Sequence, residues 1–159
     1  MKRASGFHCR RGLASLALLV ALAPGAVLAA DETEVARVAA TGVMDAFLEA
    51  FNARDESAWA DTLHFPHVRI ASGGVAVFED RAAFLDGRDL NAFAAQTGWD
   101  YSTWDDMQVV QASPTKVHIA VTFTRYDAQG AAIATYDSFY VVERLDGRWG
   151  VRARSSFAP

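Results

Sequence analysis

The stretch Val43–Glu79, VMDAFLEAFNARDESAWADTLHFPHVRIASGGVAVFE, decides how this 159-residue chain is read. Apolar residues at helical spacing run to Phe51, and the polar corner Asn52-Ala53-Arg54-Asp55 follows. Asp55 is placed to cap a short second helix through Trp59 and Leu63, which Pro66 is expected to end. From His67 to Ser72 the residues alternate as a strand, with Val68 and Ile70 on one face and His67, Arg69 and Ala71 on the other. Gly73-Gly74 signals a hairpin whose return strand is Val75 to Phe78. Where the chain leaves helices for sheet, it therefore carries two histidines and an arginine: His64, His67 and Arg69.

Towards the N-terminus, Val35, Ala39, Val43, Ala46 and Ala50 fall on one helical face, and Asp31-Glu32-Thr33-Glu34 suits the start of that helix. Residues 1–30 have the pattern of a signal peptide. Lys2, Arg3, Arg10 and Arg11 precede an apolar run from Leu13 to Ala23, and Val27-Leu28-Ala29 offers a cleavage site after Ala29 or Ala30. Export to the periplasm or the medium is the expectation, by the general or the twin-arginine route. Four of the fifteen basic residues and none of the nineteen acidic ones precede Asp31, so residues 31–159 would carry eleven against nineteen, a net −8. Such a charge gives no footprint for nucleic acid or, after signal removal, for an anionic membrane. The one cysteine, Cys9, would leave with the signal. About 130 residues suit a single domain.

Towards the C-terminus, Asp80 can cap a third helix carrying Phe84, Leu85, Leu90 and Phe93, which Gly87 bends or splits and Gly98 ends. From Tyr101 onward, turn signals at Ser113-Pro114-Thr115, Asp127–Gly130 and Asp146-Gly147 cut the chain into four antiparallel strands. On the last of them, alternation sets Trp149, Val151 and Ala153 against Arg148, Arg152 and Arg154. The expected fold is α+β: three helices against a curved antiparallel sheet.

This order, together with Phe51-Asn52-Ala53-Arg54-Asp55, Phe65-Pro66-His67-Val68-Arg69 and Asp146-Gly147-Arg148-Trp149, resembles the nuclear transport factor 2-like superfamily over Thr33 to Phe157. Within it the chain looks like the polyketide-cyclase-like and uncharacterised bacterial members. Its tail, GRWGVRARSSFAP over Gly147–Pro159, is similar to one such group. The resemblance implies a cone-shaped half-barrel with a pocket at its open end. It does not carry over enzymatic machinery. The tyrosine of ketosteroid isomerase-like proteins falls at Phe47 and their aspartate near Ala71 or Ser72. Of the arginine and two aspartates of limonene epoxide hydrolase, Arg125 and the turn residue Asp127 mimic part, and the last aspartate falls near Ser155.

Given that fold, the pocket is expected to have an apolar wall of Phe47, Phe51, Trp59 and Leu63 and polar contacts from Trp104, Arg154 and, if their strand face is concave, His67 and Arg69; on a convex face those two would merely be solvated. The expected ligand is a small, mostly apolar molecule bearing a carbonyl or an anionic group. Arg69 should touch it or be held by an acid such as Asp137. Two alternatives stand beside this binding role. One is an isomerase, dehydratase or hydrolase with His67 as acid–base group and Arg69 or Arg154 holding negative charge. The other is an interaction module using the open sheet face, which could equally carry a homodimer. No metal is expected, because Pro66 separates His64 from His67 and no carboxylate completes a set. No glycine-rich phosphate loop or other cofactor motif is present.

Overall fold

The computed structural model describes the backbone of residues 24–71 and 73–159, and the side chains of those from Asp31 onward. The basic start, the apolar run, Cys9 and Ser72 lie outside the described residues. Helix α1 spans Pro24–Asn52, seven residues further back than Asp31. Pro24 suits a first helical turn, and Val27-Leu28-Ala29-Ala30 contains nothing to break a helix. The buried stripe is Ala36, Ala40, Met44, Phe47 and Ala50, whereas Val35 is 63% exposed. The stripe is thus turned by about one position from the expected one. Ala36, Ala40, Met44 and Phe47 all pack into the core cluster. Among the described residues no helix is long and apolar enough to cross a membrane.

The polar corner fastens α1 to the sheet. Asn52 Nδ2 donates to Ser102 O and Asn52 Oδ1 accepts from Ser102 N, both at 2.9 Å, as a neighbouring strand would. Arg54, at φ 57°, turns back to pair with Asp100 at 2.9 Å. Asp55 caps α2 (Glu56–Asp61) by accepting from Ala58 N. This helix is shorter than expected. Thr62 closes it, Leu63 already belongs to β1 (Leu63–Ala71), and Pro66 lies within that strand behind a cis peptide bond. Strand β2 (Gly74–Phe78) pairs back on β1. Gly87, at φ 66°, lies in the link that divides the third helix into α3 (Arg81–Leu85) and α4 (Leu90–Thr97), so the described residues hold four helices rather than three. Gly98 ends α4 in the left-handed conformation.

Four strands complete the sheet as expected: β3 (Tyr101–Ser113), β4 (Lys116–Tyr126), β5 (Ala132–Leu145) and β6 (Arg148–Ser156). The order is β2-β1-β6-β5-β4-β3, antiparallel except where β1 runs parallel to β6. The helices cover one face, and Met44, Phe47, Leu63, Ile119, Tyr140, Val142 and Val151 form the core beneath them. The architecture is the α+β cone: a curved, unclosed sheet against N-terminal helices.

Candidate functional site

One irregularity in β6 shapes the site. Tyr140 and Val142 are two apart on β5, but their partners Arg154 and Val151 are three apart on β6. The extra residue is a bulge, and it turns both Val151 and Arg154 to the helix side. Strict alternation would have set these two residues on opposite faces. Arg154 instead lies 6.0 Å from the Phe47 ring of α1 and 6.0 Å from the Tyr140 ring. In the parallel pairing of β1 with β6, Arg69 is its direct neighbour.

Two further arginines converge on this pair. Arg88, in the link after Gly87, lies over the rings of Phe84 (3.7 Å), Phe78 (4.9 Å) and Trp59 (5.2 Å), and its Nε donates to Phe84 O. Arg125, on β4, lies 5.1 Å from the ring of Phe93 on α4 and 5.2 Å from that of Tyr136 on β5. Together with Phe51, Trp59, Asp89, Leu90, Phe93 and Pro159, the four line a cavity of about 270 Å³. A smaller space of about 20 Å³, lined by Phe47, Leu48, Ser102, Trp104, Phe123 and Tyr140, adjoins it through the shared Phe51, Arg125 and Arg154. The volume lies near the lower end of small-ligand sites.

The lining is rich in donors. Among the described residues none of the four arginines forms an ion pair. Arg69 Nη2 reaches only an oxygen of Pro159, the last residue of the sequence, at 3.4 Å. The expected partner Asp137 is engaged elsewhere, accepting from Thr122 Oγ1 at 2.8 Å. Asp89, the one acidic side chain of the lining, accepts from Ala92 N and caps α4. Arg125 Nε and the indole Nε1 atoms of Trp59 and Trp104 are buried with no hydrogen-bond partner among the described residues.

Burial and mutual repulsion disfavour these charges. Burial first, then Arg69 and Arg154, lowers the Arg88 pKa to about 10. Burial, then Arg154 and Arg125, lowers that of Arg69, and burial chiefly lowers that of Arg125. Tyr140 is fully buried, which raises its pKa and keeps its hydroxyl protonated and hydrogen-bonded to Arg154. The arrangement can hold and orient negative charge beside aromatic surface.

The expected site residues are distributed unevenly. Phe51, Trp59, Arg69 and Arg154 line the larger cavity, and Phe47 and Trp104 line the adjoining space. Leu63, 1% exposed, is core. His67 lines neither space. It shares the inner face of β1 with Arg69 but is 3% exposed, stacked on Phe78 and edge-on to Phe84, with Nδ1 3.2 Å from Val151 O. Burial above all lowers its pKa to about 4, so it is neutral near pH 7 and Nδ1–H donates to that carbonyl.

His64 is also diverted from the site. Its Nδ1 accepts from Arg148 Nη2 at 2.9 Å, so Nε2 carries the proton towards the carbonyls of Glu143 and Arg148, each at 3.1 Å. Among the described residues no group of three histidine, cysteine or acidic side chains is placed to hold a metal.

Arg88 was not expected in the site, and Arg125 was read only through a distant enzyme. Arg88 had a signal in the Gly87 break, which swings the next residue back over the aromatic cluster. The inward aim of Arg125 follows from the alternation of β4 after Val121 and Phe123.

Solved structures share this architecture. A protein of unknown function with a cystatin-like fold from Nostoc punctiforme superimposes with a TM-score of 0.63 at 11% identity, over 76% of this chain and 89% of that one. The protein Aln2 from a Streptomyces species gives 0.59 at 23% identity, over 76% and 89%. A protein from Catenulispora acidiphila in complex with S-DNPA gives 0.61 at 15% identity, over 78% and 93%. No curated protein matches the chain. A family model described as NTF2-like protein (DUF6841) matches residues 37–156, and the chain belongs to that family.

Proposed function

We propose that this is an exported NTF2-like pocket protein that binds a small, mostly apolar molecule through an anionic group. One observation carries the reading: four arginines that form no ion pair among the described residues converge on an aromatic-walled cavity. Holding half-buried guanidinium groups without counter-charge costs several kcal/mol, and a carboxylate or comparable anion would offset that cost. The aromatic rings supply apolar surface for the remainder of the ligand. The complex formed by the Catenulispora acidiphila protein supports a ligand-holding use of the same cone. Export is supported by the signal pattern of residues 1–30, and a second copy on the outer sheet face by the exposure of Ile70, Val75, Val77 and Phe139 there.

Solvent extracts of the purified protein, compared by mass spectrometry with those of Arg154→Met, test the binding role. An organic acid should accompany the wild type and be depleted at least ten-fold in the variant, the loss of one charge-assisted contact. Equal retention by both, or a neutral molecule in both, would contradict it.

A further inference from the structure

The four arginines are not one undivided cluster. Arg88 lies over Trp59, Phe78 and Phe84, whereas Arg125 lies near Phe93, Phe123 and Tyr136, with no ring in common. Between these poles Arg69 and Arg154 lie side by side on β1 and β6. The electrostatics follow the same layout. Arg154 bears on Arg69, Arg88 and Arg125, while Arg88 and Arg125 are not among each other's perturbing charges.

Each pole also has a buried indole N–H without a hydrogen-bond partner among the described residues. Trp59 Nε1 belongs to the Arg88 pole, and Trp104 Nε1 to the Arg125 pole, where both residues line the adjoining space. Every such group is a donor, and Asp89 is already engaged as a helix cap. A ligand with one anionic group could satisfy one pole and would leave the other with an uncompensated cation, which is costly in a half-buried setting.

The geometry points to a ligand with two separated anionic groups on a flat apolar frame, one held at Arg88 and the other at Arg125, across a floor of Arg69 and Arg154. This rests on the binding role proposed above and narrows its ligand class to aromatic dianions, of which a dicarboxylate is the simplest. The frame would pass beside Phe51, which borders both spaces. The requirement is for separated charge, so two charges on neighbouring atoms of the same frame should gain little.

Calorimetric titration with benzoate, phthalate and terephthalate separates the possibilities. Benzoate has one carboxylate, phthalate has two side by side, and terephthalate has two on opposite sides of the ring. The expected result is terephthalate binding at least ten-fold tighter than either of the others. That advantage should fall to about parity in Arg88→Gln and in Arg125→Gln, with circular dichroism confirming the fold. Should Arg88→Gln not fold, because Arg88 also braces Phe84, the Arg125→Gln result decides.

Benzoate binding as tightly as terephthalate would overturn the two-pole inference and leave the anion-binding role standing. Phthalate matching terephthalate would show that total charge matters and separation does not, overturning it as well. An advantage that survives Arg125→Gln would overturn the assignment of the poles. No binding of any of the three acids would overturn both this inference and the role it rests on.

Discussion

Strands β1 and β6 carry arginines at both ends, and the two ends treat them differently. At the end nearest the last hairpin, Arg148 donates to Asp61 O at 2.9 Å, to Leu63 O at 2.6 Å and to His64 Nδ1 at 2.9 Å. Arg152 donates to Phe65 O at 2.7 Å. There the irregular backbone around Pro66 supplies acceptors, and the guanidinium groups close it. At the other end Arg69 and Arg154 meet Arg88 and Arg125 among aromatic rings, with a Pro159 oxygen accepting from Arg69 and Phe84 O from Arg88, but with no ion pair among the described residues. The same residue type is a brace where the chain offers several acceptors, and under the proposed reading a ligand contact where it offers few.

His67 lies between the two ends, and acid should expose its role most strongly. Its pKa falls from 6.5 unfolded to about 4 folded, so above 6.5 both states are neutral and nothing is lost. As pH falls from 6.5 towards 4 the unfolded chain takes up the proton first, and stability falls. Over that window the loss approaches about 3 kcal/mol. Urea unfolding near neutral pH and near pH ~4.5 should show the wild type losing about 2–3 kcal/mol more than His67→Asn. Equal losses would mean that His67 is not held neutral by burial, and would return it to consideration as an acid–base group.

The braced end should break by packing. A Cβ at Gly150 would lie 2.8 Å from His64 Cδ2 and 3.1 Å from Arg148 Nη1, so Gly150→Ala forces the histidine–arginine clasp apart. A loss of about 2 kcal/mol is expected in urea unfolding, with anion affinity at the far end unchanged in the folded fraction. A weaker site in this variant would show that the two ends are coupled. The smallest effect is expected at Asp137. It is exposed and bonded to Thr122, so Asp137→Asn should change stability by less than about 0.5 kcal/mol and leave binding untouched. Weaker binding there would restore it as the partner of Arg69.

Most of the fold was legible because turns and periodicity act locally. Asp55, Asp80 and Gly98 cap or end the helices that their sequence positions suggest, and the three turn signals after Tyr101 delimit the last four strands. The misses have long-range causes. Pro66 ended a helix on paper, but β6 draws Leu63 and its successors into the sheet. The bulge opposite Tyr140 and Val142 cannot be seen in alternation, yet it alone brings Arg154 inside with Val151. That Arg69 shares a strand face with His67 was legible, but alternation is silent on whether that face is concave and on depth, which separates the buried histidine from the cavity-lining arginine. Arg88 depends on where a two-part helix folds back, and that is set by the aromatic rings it covers.

The central claim is that the open end requires negative charge, and removing the charge at constant shape tests it most directly. Benzoate and benzamide differ little in outline, while only the first carries a carboxylate. Calorimetric titration of the wild-type protein should show benzoate binding at least ten-fold tighter than benzamide, the minimum for one charge-assisted contact to an otherwise unpaired arginine. Equal affinity for the two would show that the four arginines do not act on the ligand, and the account of the open end would fall.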